Sequence, residues 1–212
     1  TLGDFIRLGT KEAASNQIIK DVDALVKLSP LQMKLNKLAA LFLFTSQGMT
    51  MIHTGQEFAR TKVIPLSIDA PDTNKGRIDH NTYDKDNEVN EINYRHAKIN
   101  QELIDYYTGL ISLRNTYDAF RKADYNEVEF FANDANECSL GYTITHGGEK
   151  FLVLMNANQQ HEKEFLLPEG KWEALVTGEQ AGTKKLSTVN GKVIVPPISG
   201  FVLKLQPSKI KK

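Results

Sequence analysis

The residues with the best claim to chemistry lie in two runs, QGMTMIHTGQEFARTK (47–62) and HNTYDKDNEVNEINY (80–94). Asn81, Tyr83 and Asn90 of the second run bring two amides and a phenol into one loop. That set supplies hydroxyl-matching donors and acceptors, plus an aromatic face for an apolar ring, which is what recognition of a sugar requires. Glu57, Arg60 and Lys62 of the first run suit a charged network that structures the loop or lines a cleft. Other candidates read more plainly. Asp84-x-Asp86-x-Glu88 lacks the turn glycine and distal glutamate of a calcium loop and reads as solvated charge. His53 reads as a structural histidine, and His80, His96, His146 and His161 have no metal-ligand spacing. Cys138, the single cysteine, allows no intramolecular disulfide and reads as an inert, half-buried thiol at a strand start. Trp172 reads as core rather than as a sugar platform. No metal site and no cofactor is expected.

Before Tyr125 the pattern is helical. TLGDFIRLG (1–9) reads as a short helix with Leu2, Phe5, Ile6 and Gly9 on one face. A second short helix is expected around 18–28. Ser29-Pro30 is a strong start signal for a helix running to about Ser46, apolar nearly all round in its later half. Gly48 ends it. Met49–His53 then reads as a short buried strand, and the polar stretch from Thr54 to Arg95 is too long for a mere connector. Helix resumes over 97–116, with Ile99, Leu103, Tyr106, Tyr107, Leu110 and Leu113 as its buried stripe. Helix, tight glycine turn and buried strand is the rhythm of a parallel α/β sheet or barrel.

After Tyr125 come about seven short alternating runs roughly ten residues apart, which argue for an antiparallel sandwich. They begin near Val128, Ser139, Lys150, Lys163, Lys171, Leu186, Lys192 and Phe201, the last two counted together. His146–Glu149 and Asn190-Gly191 carry hairpin-turn chemistry. Charged residues make up 25% of the 212 and balance to zero net charge. The chain therefore has no bulk field to attract nucleic acid or an anionic membrane. Its longest apolar run, Leu38–Phe44, is too short to cross a bilayer. No nucleic-acid or membrane partner is expected.

The two runs resemble a known family. Gln47, Gly48, Gly55, Glu57, Arg60 and Lys62 match the eighth strand and following loop of the α-amylase superfamily, glycoside hydrolases built on a (β/α)8 barrel. Asn81, Thr82, Tyr83, Val89, Asn90 and Ile92 resemble a signature of type I pullulanases and related debranching enzymes. TLGDFIRLG is similar to the residues that follow the fourth conserved segment of that superfamily. The helices over 30–46 and 97–116 resemble barrel helices seven and eight, and GKVIVPPISGFVLKL the last hairpin of its C-terminal β-domain. Gln56, Asn87, Asn93 and Tyr94 depart from the family's Glu, Asp, Asp and Trp, so the choice between α-1,6 and α-1,4 linkages stays open.

The resemblance implies a fold that is α/β plus all-β, the tail of a barrel over residues 1–120 and a β-sandwich over 121–207, with 208–212 a basic tail. It implies a parent that hydrolyses an α-glucan with retention, this chain packing on the rest of its barrel. The parent's catalytic carboxylates are expected upstream of Thr1. A retaining glycosidase needs two carboxyl groups roughly 5–5.5 Å apart, and no pair in this chain has a comparable claim. The opening residues lack a secretory-leader pattern. For a polysaccharide-acting parent, a secreted or cell-envelope location is slightly favoured. A rival reading is a non-catalytic carbohydrate-binding or interaction sandwich with a helical extension. Such a module would display a row of exposed aromatics.

Overall fold

The computed structural model describes residues 1–67, 74–86, 88–134 and 137–207, with backbone only for 132–134. Asn87 and the basic tail 208–212 lie outside the described residues. Helices precede Tyr125 and strands follow it. The chain forms two compact units. One comprises Thr1–Asn36 and Met51–Ile104; the other comprises Lys37–Thr50 and the chain from Asp105 onward. The later part of α3 (Pro30–Thr45) and most of α5 (Gln101–Thr116) fall in the same unit as the strands.

In the first unit, α1 (Leu2–Gly9) starts where the Thr1 hydroxyl accepts the Asp4 N–H at 3.1 Å. Its buried face is not the apolar one expected. Phe5 is 76% exposed, whereas Asp4 and Arg7 are buried with Ile6. The polar pair goes inward because neighbouring loops supply partners for it there. α2 (Val22–Val26) is shorter than expected and is capped by Asp21, which accepts the Ala24 N–H at 3.0 Å. α3 opens on a reciprocal capping box. The Gln32 N–H donates to Ser29 Oγ at 3.3 Å, and the Ser29 N–H to Gln32 Oε1 at 3.2 Å.

The helix expected over 97–116 is two, α4 (Arg95–Ile99) and α5. The break is Asn100, at φ −115° and ψ 39°. Its amide Nδ2 donates to the carbonyls of Val26 (2.9 Å) and Phe58 (3.0 Å), and its Oδ1 accepts the Leu28 N–H (3.3 Å). A side chain that competes this well for backbone groups favours a helix boundary over an interior.

Met49–His53 is not a strand. Met49 and Met51 stand out 102% and 88% exposed. A buried parallel strand needs a hydrogen-bonding neighbour on each side, and every named strand pair among the described residues is antiparallel and follows Tyr125.

The second unit holds a six-stranded sheet and a two-stranded one. The strands are β1 (Val128–Asp134), β2 (Ser139–His146), β3 (Glu149–Asn156), β4 (Lys163–Leu166), β5 (Trp172–Val176), β6 (Ser187–Val189), β7 (Lys192–Val195) and β8 (Ser199–Leu205). The large sheet runs β1-β2-β3-β8-β5-β6, and β4 pairs with β7. Gly147 (φ 58°) and Gly148 (φ 81°) turn the β2–β3 hairpin as expected. Asn190-Gly191 does not close a hairpin, because β6 and β7 belong to different sheets. Cys138 is exposed at φ 53° in the β1–β2 turn, not half-buried in a strand.

β3 is covered on both faces. Leu152 and Leu154 join Phe165, Trp172, Ala174, Val193, Val195 and Leu203 in one core cluster, so the β4–β7 pair packs over the large sheet. On the other face, the ring of Phe151 meets Tyr117 and Phe120, with centroids 5.0 and 4.9 Å away. Trp172 is fully buried, its indole N–H donating to the Pro168 carbonyl at 3.0 Å. The Tyr142 hydroxyl sits 2.9 Å from Thr45 Oγ1 at the end of α3. Arg114 closes that helix end, donating to the carbonyls of Phe44 (3.0 Å), Ser46 (2.8 Å) and Gly48 (2.5 Å).

Gly109 on α5 lies against Ala181, and a Cβ built there would sit 2.0 Å from the Ala181 carbonyl oxygen. An exposed helical Gly→Ala change stabilises by up to about 1 kcal/mol. Here the clash reverses the sign. Gly109→Ala should destabilise by about 1–3 kcal/mol, the usual cost of overpacking, read as a lower denaturation midpoint with unchanged m-value.

Candidate functional site

The site is built on side chains that hold loop backbone. Arg7 is fully buried. Its Nε donates to the Leu25 carbonyl (2.9 Å), and its Nη2 to those of Val26 (3.0 Å) and Ala59 (2.9 Å). Burial pulls its pKa down, and the adjacent Asp4 carboxylate opposes that. Gly3 makes room for this arrangement, since a Cβ there would lie 2.8 Å from the Ala59 oxygen. Asp4 Oδ1 accepts the Thr61 hydroxyl at 2.5 Å, and its Oδ2 accepts the Lys62 N–H at 3.1 Å.

The loop then turns through a short 3-10 segment, Gln56–Phe58, entered by Gly55 at φ 86°. Glycine is required there on two counts, its φ and the Arg60 side chain, 2.8 Å from where a Cβ would be. Arg60 is buried and donates through Nη2 to the carbonyls of Asn90 (2.6 Å) and Glu91 (3.1 Å). Burial lowers its pKa, and Asp4 raises it in part. Glu57 is half-buried and makes no hydrogen bond or ion pair among the described residues. It stands apart from the network that Arg60 and Lys62 share.

Lys62 crosses to the second run. Its Nζ donates to Thr82 Oγ1 (2.6 Å) and Asn90 Oδ1 (2.9 Å). Burial and the Arg60 charge lower its pKa, against the carboxylates of Asp4 and Asp79. Asn90 has no spare capacity. Its Nδ2 donates to the carbonyls of Thr82 (2.7 Å) and Lys85 (2.5 Å), while its Oδ1 also takes the Thr82 hydroxyl (2.9 Å). The geometry gives Asn90 the task of closing the loop on itself. Asn81 and Tyr83, on either side of buried Thr82, point outward instead. Tyr83 is 85% exposed, and neither side chain has a hydrogen-bond partner among the described residues.

Beside this loop lies a cleft of about 300 Å³, lined among others by Asp23, Arg60, Glu91, Asn93 and His96. His96 is buried, with Nε2 3.0 Å from Asp23 Oδ1. Reading the sequence alone missed Asp4, Arg7, Asn100 and His96. The available signal was the Asp4–Arg7 spacing of three on one helix face, which makes them neighbours.

Asp79 anchors the base of the loop. Its Oδ1 accepts the Asn81 N–H at 3.0 Å, and it pairs with Lys85. Burial would raise its pKa, but the Lys85 and Asn81 hydrogen bonds outweigh that and hold it below the usual value. A carboxyl depressed by folding stabilises fully above its unfolded pKa and loses that contribution as pH falls through the folded value. NMR amide shifts of Asn81 and Lys85 should therefore stay native down to about pH 4, the ordinary aspartate range, and move below it. Asp79→Asn should abolish that step.

No protein-family model matches the chain. Pullulanase A of Streptococcus pneumoniae serotype 2 is 26% identical over 197 residues, covering 73% of this chain. The chain spans 16% of that relative's length. Among solved structures, the pullulanase of Bacillus acidopullulyticus is 26% identical with a TM-score of 0.68, covering 84% of this chain and 21% of its own. Pullulanase SAP of group B Streptococcus, solved with maltotetraose, matches in fold with a TM-score of 0.67 at 24% identity, covering 83% of this chain and 28% of its own. In sequence and in structure alike, this chain is similar to proteins named pullulanase, and also to a cyclomaltodextrinase of Geobacillus thermopakistaniensis, 34% identical over 110 residues that cover 50% of this chain.

Proposed function

We propose that this chain is the C-terminal part of an α-glucan hydrolase, and that its 54–95 loop lines the glucan cleft. The observation that carries this is the contrast within the loop. Lys62, Thr82 and Asn90 tie it down from inside, while Asn81 and Tyr83 are held outward with unused polar and aromatic groups. An amide and a phenol on a pre-ordered loop suit sugar hydroxyls and ring faces. The curated relatives named pullulanase support the substrate class.

In this reading residues 1–120 contribute helix seven, strand eight and helix eight of a (β/α)8 barrel, and 121–207 the terminal β-domain. The exposed side chains of Met49 and Met51 support it: among the described residues their segment has no ladder partner, as a barrel strand would lack one without its neighbours. The rest of the parent barrel is the partner that supplies them. Hydrolysis would be retaining, at α-1,6 or α-1,4 bonds, with the nucleophile and acid on strands outside this chain. The rival reading, a sugar-binding module, is weakened by its aromatics. Phe151, Phe165 and Trp172 are core, and only Phe130 and Phe131 are exposed among the phenylalanines of the described strands.

Two expectations test the proposal. The purified 212-residue chain should release no reducing ends from pullulan above background. Turnover abolished by Glu57→Gln would place the catalytic machinery here after all. In the intact enzyme, Tyr83→Ala and Asn81→Ala should each lower kcat/KM on branched glucan by about 2- to 10-fold, the worth of one hydrogen bond to substrate, with the melting temperature nearly kept. Wild-type kinetics in both variants, or a loss only of thermal stability, would remove the loop from the cleft.

A further inference from the structure

Asp4 is a carboxylate with 4% of its side chain exposed, on the helix face where an apolar residue was expected. Such a group is costly to bury unless each oxygen is hydrogen-bonded. Both are. Oδ1 takes the Thr61 hydroxyl at 2.5 Å and lies 3.5 Å from Arg7 Nη1. Oδ2 takes the Lys62 N–H at 3.1 Å and has the Thr1 hydroxyl at 2.8 Å. Two successive residues of the loop are thus fixed from one carboxylate. One of them, Lys62, extends the hold: its Nζ reaches Thr82 Oγ1 and Asn90 Oδ1, and Thr82 is the residue between Asn81 and Tyr83.

We infer that Asp4 is a positioning residue for glucan recognition, setting through Lys62 and Thr82 where Asn81 and Tyr83 stand. It touches no substrate. The inference rests on the cleft assignment of the loop and adds the device that holds it. Aspartate is specified over asparagine by the donors around it. Whichever way an amide at residue 4 turns, its NH2 faces a donor, the Lys62 N–H on one side or the Arg7 guanidinium on the other. An unmatched donor pair of this kind moves the loop rather than merely weakening it. Lys62 gives the same prediction by an independent route, since its methylenes are dispensable for Asp4 but its Nζ is the link to the second run.

The test is a double-mutant cycle in the intact enzyme, with kcat and KM measured on branched glucan. Asp4→Asn and Lys62→Met should each raise KM by about 3- to 10-fold with kcat within about twofold, the worth of a lost substrate hydrogen bond or two. In an Asn81→Ala/Tyr83→Ala background, neither should have a further effect, because a residue that acts only through Asn81 and Tyr83 cannot be felt once both are gone. A merely structural role would lower the melting temperature and the active fraction, and would add in full to the Asn81→Ala/Tyr83→Ala pair. Full additivity, or wild-type KM in Lys62→Met, overturns the inference while leaving the cleft intact. If Tyr83→Ala and Asn81→Ala are themselves silent, the cleft assignment fails and takes the inference with it. Should Asp4→Asn not fold, Asp4→Glu, which keeps the charge but displaces both oxygens, takes its place in the cycle beside Lys62→Met, with the same outcomes expected.

Discussion

A carbonyl buried in a loop has no ladder or helix to pair with, yet leaving it unpaired costs as much as a lost hydrogen bond. That constraint governs the first unit. Among the described residues from Met51 to Tyr94 no named strand supplies partners; beyond one isolated bridge, Val63 with Ile78, side chains do much of that work, there and in the neighbouring 25–26 segment. Arg7 serves Leu25, Val26 and Ala59; Asn100 serves Val26 and Phe58; Arg60 serves Asn90 and Glu91. Guanidinium is suited to this because its donors fan out in a fixed plane and can meet several carbonyls at once. Each buried arginine in turn needs a compensating charge, and Asp4 lies where it raises the pKa of both Arg7 and Arg60.

An order made of side-chain bonds differs from one made of ladders. Net hydrogen bonds to charged groups contribute about 1.5–3 kcal/mol each, enough for a handful to hold a long segment. They are also local: residues between the tie points are free to face outward. Thr82 and Asn90 are tie points, and Asn81 and Tyr83 are not. The loop can thus be ordered and still present unspent groups, which a packed strand or helix would have used for its own ladder or core.

The second unit obeys the same rule with different means. Its strands satisfy one another, and its exceptions are again side chains at element ends. Arg114 takes the last carbonyls of α3. Asn156, fully buried, donates to the carbonyls of His161 and Val195 at 2.9 and 3.1 Å. The central strand β3 reads FLVLM because it is covered on both faces, by rings on one side and by the β4–β7 pair on the other.

Periodicity and turn chemistry make much of this legible in the sequence. The Ser29-Pro30 start, the glycine turn at 147–148 and the strand starts near 128, 139, 150, 163, 172, 192 and 201 depend on local preferences, which a sequence carries on its face. The loop motif carried the resemblance to proteins named pullulanase. Four things needed the tertiary structure. Met49–His53 has the composition of a strand but no ladder partner, and pairing is a property of two segments. Asn190-Gly191 has hairpin chemistry but joins two sheets. Helix 97–116 breaks at Asn100 because partners from residues 26, 28 and 58 reach it. Asp4 and Arg7 turn inward because burial of a charge is decided by the donors and acceptors that meet it, and these come from residues up to 58 positions away.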